Sequence, residues 1–456
     1  RILTGPEYLT VFNGKTGAAM TTIDYVPVRG NLADWGDERA NRSDRFLAAV
    51  AYLDGVHPSA VMCRGYYTRA VLAAWDWDGK QLKQRWVFDS YAHGYQDYSG
   101  QGNHNLRVGD VDGDGCDEIL YGACAIDHNG QGLYSMKMGH GDAMHLTGFI
   151  PGDPHLQVWD CHENRRDGSE LHDAATGKVL FQIPSKMDVG RAMAADIDPT
   201  NYGVEMWTWD SRGIRNYKGD SIAPCPGGFS CNSAVWWDGD LNRELFDRVS
   251  REDNAAVLKY NAQTQRLDTL FMIEGTKTIN GTKGVPCLQG DLFGDWREEL
   301  LLRSADNRSL RLYVSTIPTK YRFHSFLSDP VYRISIATQN VAYNQPTQPG
   351  FYFGSDLEGE FRGTTVAKQN ALLAKGGLAD VNGVRDVTLD SLNLANTVRP
   401  VAGSSRKGNN PVLFLVGNST MRTGTLGNGN NGQWGWGAFA QQWFDEDRIT
   451  VENHAL

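Results

Sequence analysis

One repeated phrase limits what this chain can fold into. An acidic, glycine-bearing loop runs straight into an apolar strand, most fully as Asp110-Val111-Asp112-Gly113-Asp114-Gly115 followed by Glu118-Ile119-Leu120. Variants begin near Tyr52, Asp153, Asp196, Trp236 and Asp291, a spacing of roughly 40 to 60 residues that matches a four-stranded propeller blade. A second phrase, strand, tight glycine turn, strand, recurs at Val11–Gly17, Trp75–Lys80, Ile126–Gly130 and Ala175–Leu180. Such turns need positive φ, which Gly and Asn supply. Few segments hold a helical period beyond two turns. The expected fold is therefore all-β, a β-propeller with about six blades between residues 1 and 355. From about Glu358 to Asn410 the phrase fades into a Gly/Ala/Asn/Ser-rich connector, and Pro411–Val416 opens something new with a buried-strand run. The expected divisions are 1–357, 358–410 and 411–456.

Charge and cysteines remove several classes. Acidic residues outnumber basic ones 54 to 44, a net −10, whereas nucleic-acid binding calls for a basic face. The longest apolar stretch, Val412–Val416, falls far short of the ~20 residues that span a bilayer. Arg1 is not a start methionine and residues 1–10 hold no signal segment, so both ends read as cut. The seven cysteines form no CxxC pair, which disfavours a zinc ribbon. Cys225 and Cys231 flank a loop that a disulfide could close, or stand as separate thiols.

The acidic loops suit calcium. Asp110, Asp112, Asp114 and Glu118 set carboxylates at alternate positions with one closing the ring, as a cation taking six to eight oxygens in flexible geometry requires. The spacing returns in Asp291, Asp295 and Glu299, in Asp238, Asp240 and Glu244, and more loosely in Asp196, Asp198 and Glu205. A single such loop reads as a solvated acidic turn. Recurrence in step with the repeat turns the reading toward structural calcium sites.

A different cluster looks chemical. Gly102-Asn103-His104-Asn105, Gly139-His140-Gly141-Asp142 and His162-Glu163 bring imidazoles and carboxylates to three neighbouring loops. Histidine beside glycine in a loop is a poor core residue but a good ligand or acid–base group, and a transition-metal site competes with calcium here. Asn280-Gly281-Thr282-Lys283 is a second chemical stretch, although Asn-Gly-Thr is also a glycosylation acceptor. Arg64-Gly65-Tyr66-Tyr67 and Tyr343-Asn344-Gln345-Pro346 are polar–aromatic loops of the kind that stack on sugars.

These residues resemble the polysaccharide lyase family 11 rhamnogalacturonan lyases. The matching text is GPEYLTVFNGKTG at 5–17, RGYYTR at 64–69, QGNHN at 101–105, DVDGDG at 110–115 and GLYSMKMGHGDAMH at 132–145. It continues with GRAMAADIDP at 190–199, NGTK at 280–283, DLFGDWREE at 291–299 and DPVYRISIATQNVAYNQP at 329–346. The resemblance implies a calcium-rich propeller of the eight-bladed type, so this chain is expected to begin after two blades and a small β-domain. It places a cleft calcium on His104, His140, Asp142 and Glu163, and a substrate loop on Asn280, Gly281, Thr282 and Lys283 with Tyr343 opposite. Arg191 matches a further cleft position.

The implied reaction is calcium-assisted β-elimination in rhamnogalacturonan I, at the bond joining rhamnose to O4 of galacturonate. Lys283 is the first candidate base and Tyr343 the second. Endo action is expected over exo, from a secreted or periplasmic monomer whose partner is the polysaccharide. A calcium-dependent carbohydrate-binding propeller without turnover, and a pure scaffold propeller, are the competing readings.

The tail carries its own resemblance. Phe414–Met421 followed by Gly435-Trp436-Gly437 is similar to the start of an SGNH-type rhamnogalacturonan acetylesterase, an α/β hydrolase with Ser419 as nucleophile. Asn418 stands where that family usually has Asp, and the base-carrying Asp-x-x-His would lie beyond Leu456. A serine without its base is not activated, so this segment is expected to be inert.

Overall fold

The computed structural model describes residues 2–361 apart from 211, 212, 250–253, 281, 282 and 342, together with 368, 412–415 and 450–453. Six four-stranded antiparallel sheets follow one another along the chain, and with few helices the protein is all-β. Sheet 1 is Phe46–Ala51, Ser59–Arg64, Val71–Trp77 and Leu82–Asp89; sheet 2 is Arg107–Gly109, Glu118–Leu120, Cys124–Ile126 and Gly132–Ser135. Sheet 3 is Gly141–Thr147, Gln157–His162, Ser169–Asp173 and Val179–Ile183; sheet 4 is Ala192–Ala195, Glu205–Thr208, Ile214–Arg215 and Ser221–Ala223. Sheet 5 is Ser233–Val235, Glu244–Arg248, Ala255–Asn261 and Arg266–Ile273. These five are plain meanders. Sheet 6 departs from the pattern, because Leu288–Gly290 and Thr276–Lys277 both pair with Glu299–Ser304, and Leu310–Tyr313 lies on that strand's other edge.

Burial falls from the first strand outward. The first strands of sheets 2 to 5 are wholly buried, while the fourth strands of sheets 1, 3 and 5 are largely exposed or half-buried. That gradient is why the inner strands read as apolar runs and the outer ones carry polar residues. Each sheet packs face to face on the next: Leu47, Val61 and Leu72 meet Val108 and Ile119, and Leu120 meets Met144 and Val158. Trp159 and Leu171 meet Ala192 and Met206; Met193 and Trp207 meet Ala234 and Leu245; Val235 and Phe246 meet Leu300 and Leu302.

The inner edges are tied together by the segment after sheet 6. Helix Pro330–Thr338 starts on an Asp329 cap, whose carboxylate accepts the Tyr332 N–H at 2.8 Å, with Pro in the first turn. The chain beyond it bonds to several sheets. Arg107 donates to the Pro346 carbonyl (3.3 Å), Thr147 to Pro349 (2.6 Å) and Arg243 to Thr347 (2.9 Å). Gln348 donates to the Ala194 carbonyl (3.2 Å), and the Gln289 N–H to Gln339 Oε1 (2.8 Å).

Cys225 and Cys231 are separate thiols; both pack against the apolar layer between sheets 4 and 5, which holds their loop without a disulfide. The strand run at 412–415 pairs in parallel with Thr450–Asn453. Ser419 lies outside the described residues.

Candidate active site

Strand order decides which loops meet. In a meander, the loop after the first strand and the turn after the third leave at one end, and the other connections leave at the opposite end. The acidic loops of sheets 2, 4 and 5 follow first strands, that of sheet 6 follows Leu288–Gly290, which runs parallel to the sheet's first strand on the same edge, and all share one end. Tyr66, Tyr67, His104, His140, Glu163 and Arg191 sit on second-to-third loops or sheet-to-sheet passages and share the other, and Lys283, from the loop joining Thr276–Lys277 to Leu288–Gly290 in sheet 6, reaches the same group over the Tyr343 ring. Tyr343 arrives from the central segment. Its N–H donates to the His104 carbonyl at 3.0 Å, and Asn105 Nδ2 donates to the Tyr343 carbonyl at 2.9 Å.

The histidines form the centre, their rings 4.8 Å apart. Both nitrogens of His104 are held, Nδ1 by the Tyr66 hydroxyl (2.8 Å) and Nε2 by the Tyr67 hydroxyl (3.0 Å); Asp142 Oδ1 lies 3.6 Å from Nε2. His140 Nδ1 donates to the Gly102 carbonyl at 2.5 Å, which turns Nε2 toward Glu163 Oε1, 3.5 Å away. Tyr343 stacks on His104 at 4.3 Å, and Lys283 Nζ lies 4.3 Å over the Tyr343 ring. Arg191 is anchored on Asn232 Oδ1 at 3.0 Å, its Cζ 5.9 Å from the same ring. Asn280 turns into this group at φ 58°, its carbonyl accepting the Lys283 N–H at 2.9 Å; Gly281 and Thr282 lie outside the described residues. Gly141 is required by contact, since a Cβ there would sit 2.1 Å from the Cys161 carbonyl and 2.8 Å from Asn103 Oδ1.

Burial sets the charge states. It pulls His104 down to about 3, helped by His140 and the cations Arg45, Lys283 and Arg191, and pulls His140 down to about 4. Both imidazoles are therefore neutral at neutral pH, the form in which a ring nitrogen can act as a ligand. Burial lifts Asp142 to about 7 against the pull of Lys283 and Arg191, and raises Glu163. Lys283 is lowered, first by burial and then by Arg191, while burial raises Tyr343. His104, His140 and Glu163 offer ligand atoms within 4.8 Å of one another, and buried His140 Nε2 has no hydrogen-bond partner among the described residues. This donor set fits a divalent cation. His162 does not join it. One residue along the strand from Glu163, it faces into sheet 3 toward Glu170 Oε1 (3.4 Å), beside Asp160.

The acidic loops share one device. The closing glutamate turns one oxygen, Oε2, back onto loop N–H groups: Glu118 accepts from Val111 (2.9 Å), Glu205 from Ile197 (2.8 Å), Glu244 from Trp237 (2.8 Å) and Glu299 from Leu292 (2.7 Å). The second oxygens of Glu118 and Glu205 are buried without a hydrogen-bond partner among the described residues, as is Asp291 Oδ1, with His128 Nδ1 standing 3.8 Å from that of Glu118. Asp110, Asp112 and Glu118 come together, and burial raises Glu118 to about 8. Asp196 is committed elsewhere, one oxygen accepting from Tyr352 OH (2.8 Å) and the Ser355 N–H (2.7 Å). Asp198 Oδ1 takes the Thr200 N–H at 2.9 Å, and Asp295 pairs with Arg297 at 2.9 Å. The loop of sheet 5 already contains a cation: Lys259 Nζ donates to Asp238, to Asp240 Oδ2 (2.6 Å) and to Glu244 Oε1 (3.0 Å).

Two site residues had no motif to announce them. Arg42 Cζ lies 3.7 Å over the Tyr67 ring and Arg45 Cζ 5.3 Å from it, both on the turn ahead of sheet 1. The only sequence signal there is the density of arginine in 39–45. Tyr66 and Tyr67, in contrast, sit in a loop already marked as polar and aromatic.

A neutral imidazole pair, two carboxylates, a depressed lysine and flanking arginines thus gather at one end of serial antiparallel sheets. Residues 1–362 match the C-terminal domain of rhamnogalacturonan lyase family 11, and the chain belongs to that family. It is 50% identical over 370 residues to the rhamnogalacturonan exolyase YesX of Bacillus subtilis, covering 78% of this chain and 60% of that protein. It is 47% identical over 360 residues to the endolyase YesW of the same organism, covering 78% and 56%. A Bacillus licheniformis rhamnogalacturonan lyase structure superposes with TM-score 0.75 at 50% identity, over 81% of this chain and 61% of that one. The chain thus spans about 60% of the length of the relatives it matches.

Proposed function

We propose that residues 1–357 form the catalytic portion of a rhamnogalacturonan lyase that cleaves rhamnogalacturonan I by β-elimination. The observation that carries the reading is the pairing of a depressed lysine with a stacked tyrosine, Lys283 Nζ 4.3 Å over Tyr343, beside the imidazole–carboxylate cluster. Lys283, its ammonium made more acidic by burial and by Arg191, takes the C5 proton of galacturonate in its neutral form. The electron pair forms the C4–C5 double bond, the C4–O bond breaks, and the departing oxygen takes up a proton. Tyr343 is the second candidate for the base. Arg191 compensates the substrate carboxylate as enolate-like charge builds up. His104, His140, Asp142 and Glu163 would hold calcium, which when bound neutralises that same carboxylate.

Six sheets packed in series, with inner strands facing one central segment, support a β-propeller of the family's eight-bladed type. Buried carboxylate oxygens without hydrogen-bond partners in the acidic loops support structural calcium there. For the cleft, two imidazoles also suit a transition metal, so add-back of calcium against zinc after chelation separates the two. We read the protein as a secreted or periplasmic, endo-acting monomer. The parallel pairing of 412–415 with 450–453 supports an α/β opening like that of an SGNH esterase, because parallel strands need a crossover between them.

The test is ultraviolet absorbance of unsaturated uronate on incubation with rhamnogalacturonan I, with calcium and then with chelator. A calcium-dependent rise is expected. A folded protein that retains the polymer without any rise would make this a binding propeller.

A further inference from the structure

The cleft has cations on two flanks, and the proposed chemistry uses only one. Lys283 and Arg191 lie on the Tyr343 side of His104. On the other side, Tyr67 packs 4.0 Å from His140 and bonds to His104, and Arg42 lies 3.7 Å over its ring. Arg45 stands 5.3 Å from the same ring. Arg42, Tyr67, His104, Tyr343 and Lys283 thus form a run of contacts, face-on except where Tyr67 meets His104 edge-on, with a cation at each end.

The turn that carries these arginines is built to present them. Asp37 gathers the N–H groups of Arg39 (2.6 Å), Asn41 (3.0 Å) and Arg42 (2.9 Å). Asn41 then locks the Arg45 guanidinium, its carbonyl accepting Nε at 2.8 Å and its Oδ1 accepting Nη2 at 2.7 Å. Among the described residues, neither Arg42 nor Arg45 has an ion-pair partner. Both act electrostatically on the site, Arg42 on Glu163 and His140 and Arg45 on His104 and His140. Holding unpaired arginines beside buried imidazoles costs electrostatic energy that an incoming anion would offset. The planar guanidinium of Arg42 on the Tyr67 face keeps its fork of donors in the plane that a carboxylate meets, while Arg45, with Nε and Nη2 committed to Asn41, contributes its charge and its remaining nitrogen Nη1.

We propose that Arg42 and Arg45 bind a second, non-reacting carboxylate of the same substrate chain, so that the cleft grips two uronates at once. The inference rests on the lyase reading for its substrate class, a polymer in which uronates recur. It makes affinity depend on the number of acidic sugars held and not only on the one that reacts.

Calorimetric titration of the full chain with rhamnogalacturonan oligosaccharides carrying one or two galacturonates tests this without needing turnover. For the wild type, the second uronate is expected to tighten binding about tenfold, the scale of one charge-assisted contact. In Arg42→Gln/Arg45→Gln that ratio falls to about twofold, and Arg42→Lys/Arg45→Lys recovers part of it. Raising the salt concentration shrinks the wild-type ratio more than the variant's. A glutamine variant with an unchanged melting temperature that keeps the tenfold ratio overturns the inference. So does a variant that loses affinity for both ligands equally. Product release with the ratio unaffected would sink this inference and leave the lyase reading standing. An intact ratio with no unsaturated product would do the reverse. Failure of the wild type to bind either ligand overturns both.

Discussion

Lys259 gives the sharpest test of how the acidic loops are held. In sheets 2, 4 and 5 the position across the second-to-third strand register from the closing residue is polar, and its chemistry differs from loop to loop. Ile119 pairs with Ile126, which sets Asp127 opposite Glu118; Met206 pairs with Arg215, which sets Asn216 opposite Glu205. Both carry a side-chain oxygen and no positive charge, although Asn216 Oδ1 already accepts the Lys218 and Asp220 N–H groups and Asp127 pairs with His128. Leu245 pairs with Leu258, and so Glu244 faces Lys259, whose ammonium donates to three carboxylates. Lys259→Met removes that charge and leaves Glu244 buried and unneutralised. The Asp240 contact is half exposed and worth little, whereas Glu244 is fully buried and Asp238 mostly so. Breaking a buried pair costs ~3–5 kcal/mol, and the partial exposure of Lys259 brings the expectation to about 2–4. For a unit of this size that is a fall of ~3–6 °C in Tm, read by calorimetry in chelator. Millimolar calcium is expected to recover most of the loss, since the emptied carboxylates then resemble those of the other loops. An unchanged Tm in chelator would refute the reasoning, because it would mean that Lys259 neutralises nothing in solution.

Other outcomes follow from the same geometry. Lys283→Ala is expected to lower the initial rate of unsaturated-uronate release by ~100-fold or more, and Tyr343→Phe by less than about tenfold; the opposite order would make Tyr343 the base. Gly141→Ala drives a methyl group into the Cys161 carbonyl, so it is expected to cost ~1–3 kcal/mol in urea unfolding and to displace His140 and Asp142. Burial of Asp329 outweighs the N–H groups of Gly350 and Tyr332 and the charge of Arg333, and holds its carboxyl at about 6. The folded state therefore binds that proton more tightly than the unfolded chain. The stability it contributes is present below the ordinary value near ~4 and is lost as pH rises through about 6, a swing of ~3 kcal/mol. Asp329→Asn should flatten the urea-midpoint profile across that window; an unaltered slope would mean that Asp329 titrates normally.

How much of this was legible in the sequence follows from what each feature depends on. The acidic phrase is local, a turn and a strand, and its copies near Tyr52, Asp110, Asp153, Asp196 and Trp236 each fall between the first and second strands of a sheet, while the copy at Asp291 follows the second strand of sheet 6. The histidine cluster was legible because glycine flanks it: Gly102 and Gly141 are needed where backbone passes close to Tyr121 and to the Cys161 carbonyl. What could not be read depends on register and on approach between distant segments. His162 and Glu163 are neighbours in sequence, yet strand alternation buries one in sheet 3 and leaves the other in the cleft. Asp238, Asp240 and Glu244 have the same spacing as their counterparts in other loops. Only the pairing with the next strand reveals that a lysine, and not an oxygen donor, stands across from them. Arg42 acquires its meaning from Tyr67, which is remote along the chain but directly beneath its guanidinium. Spacing along one strand therefore identifies candidate ligands, and the cross-strand partner determines which cation they receive.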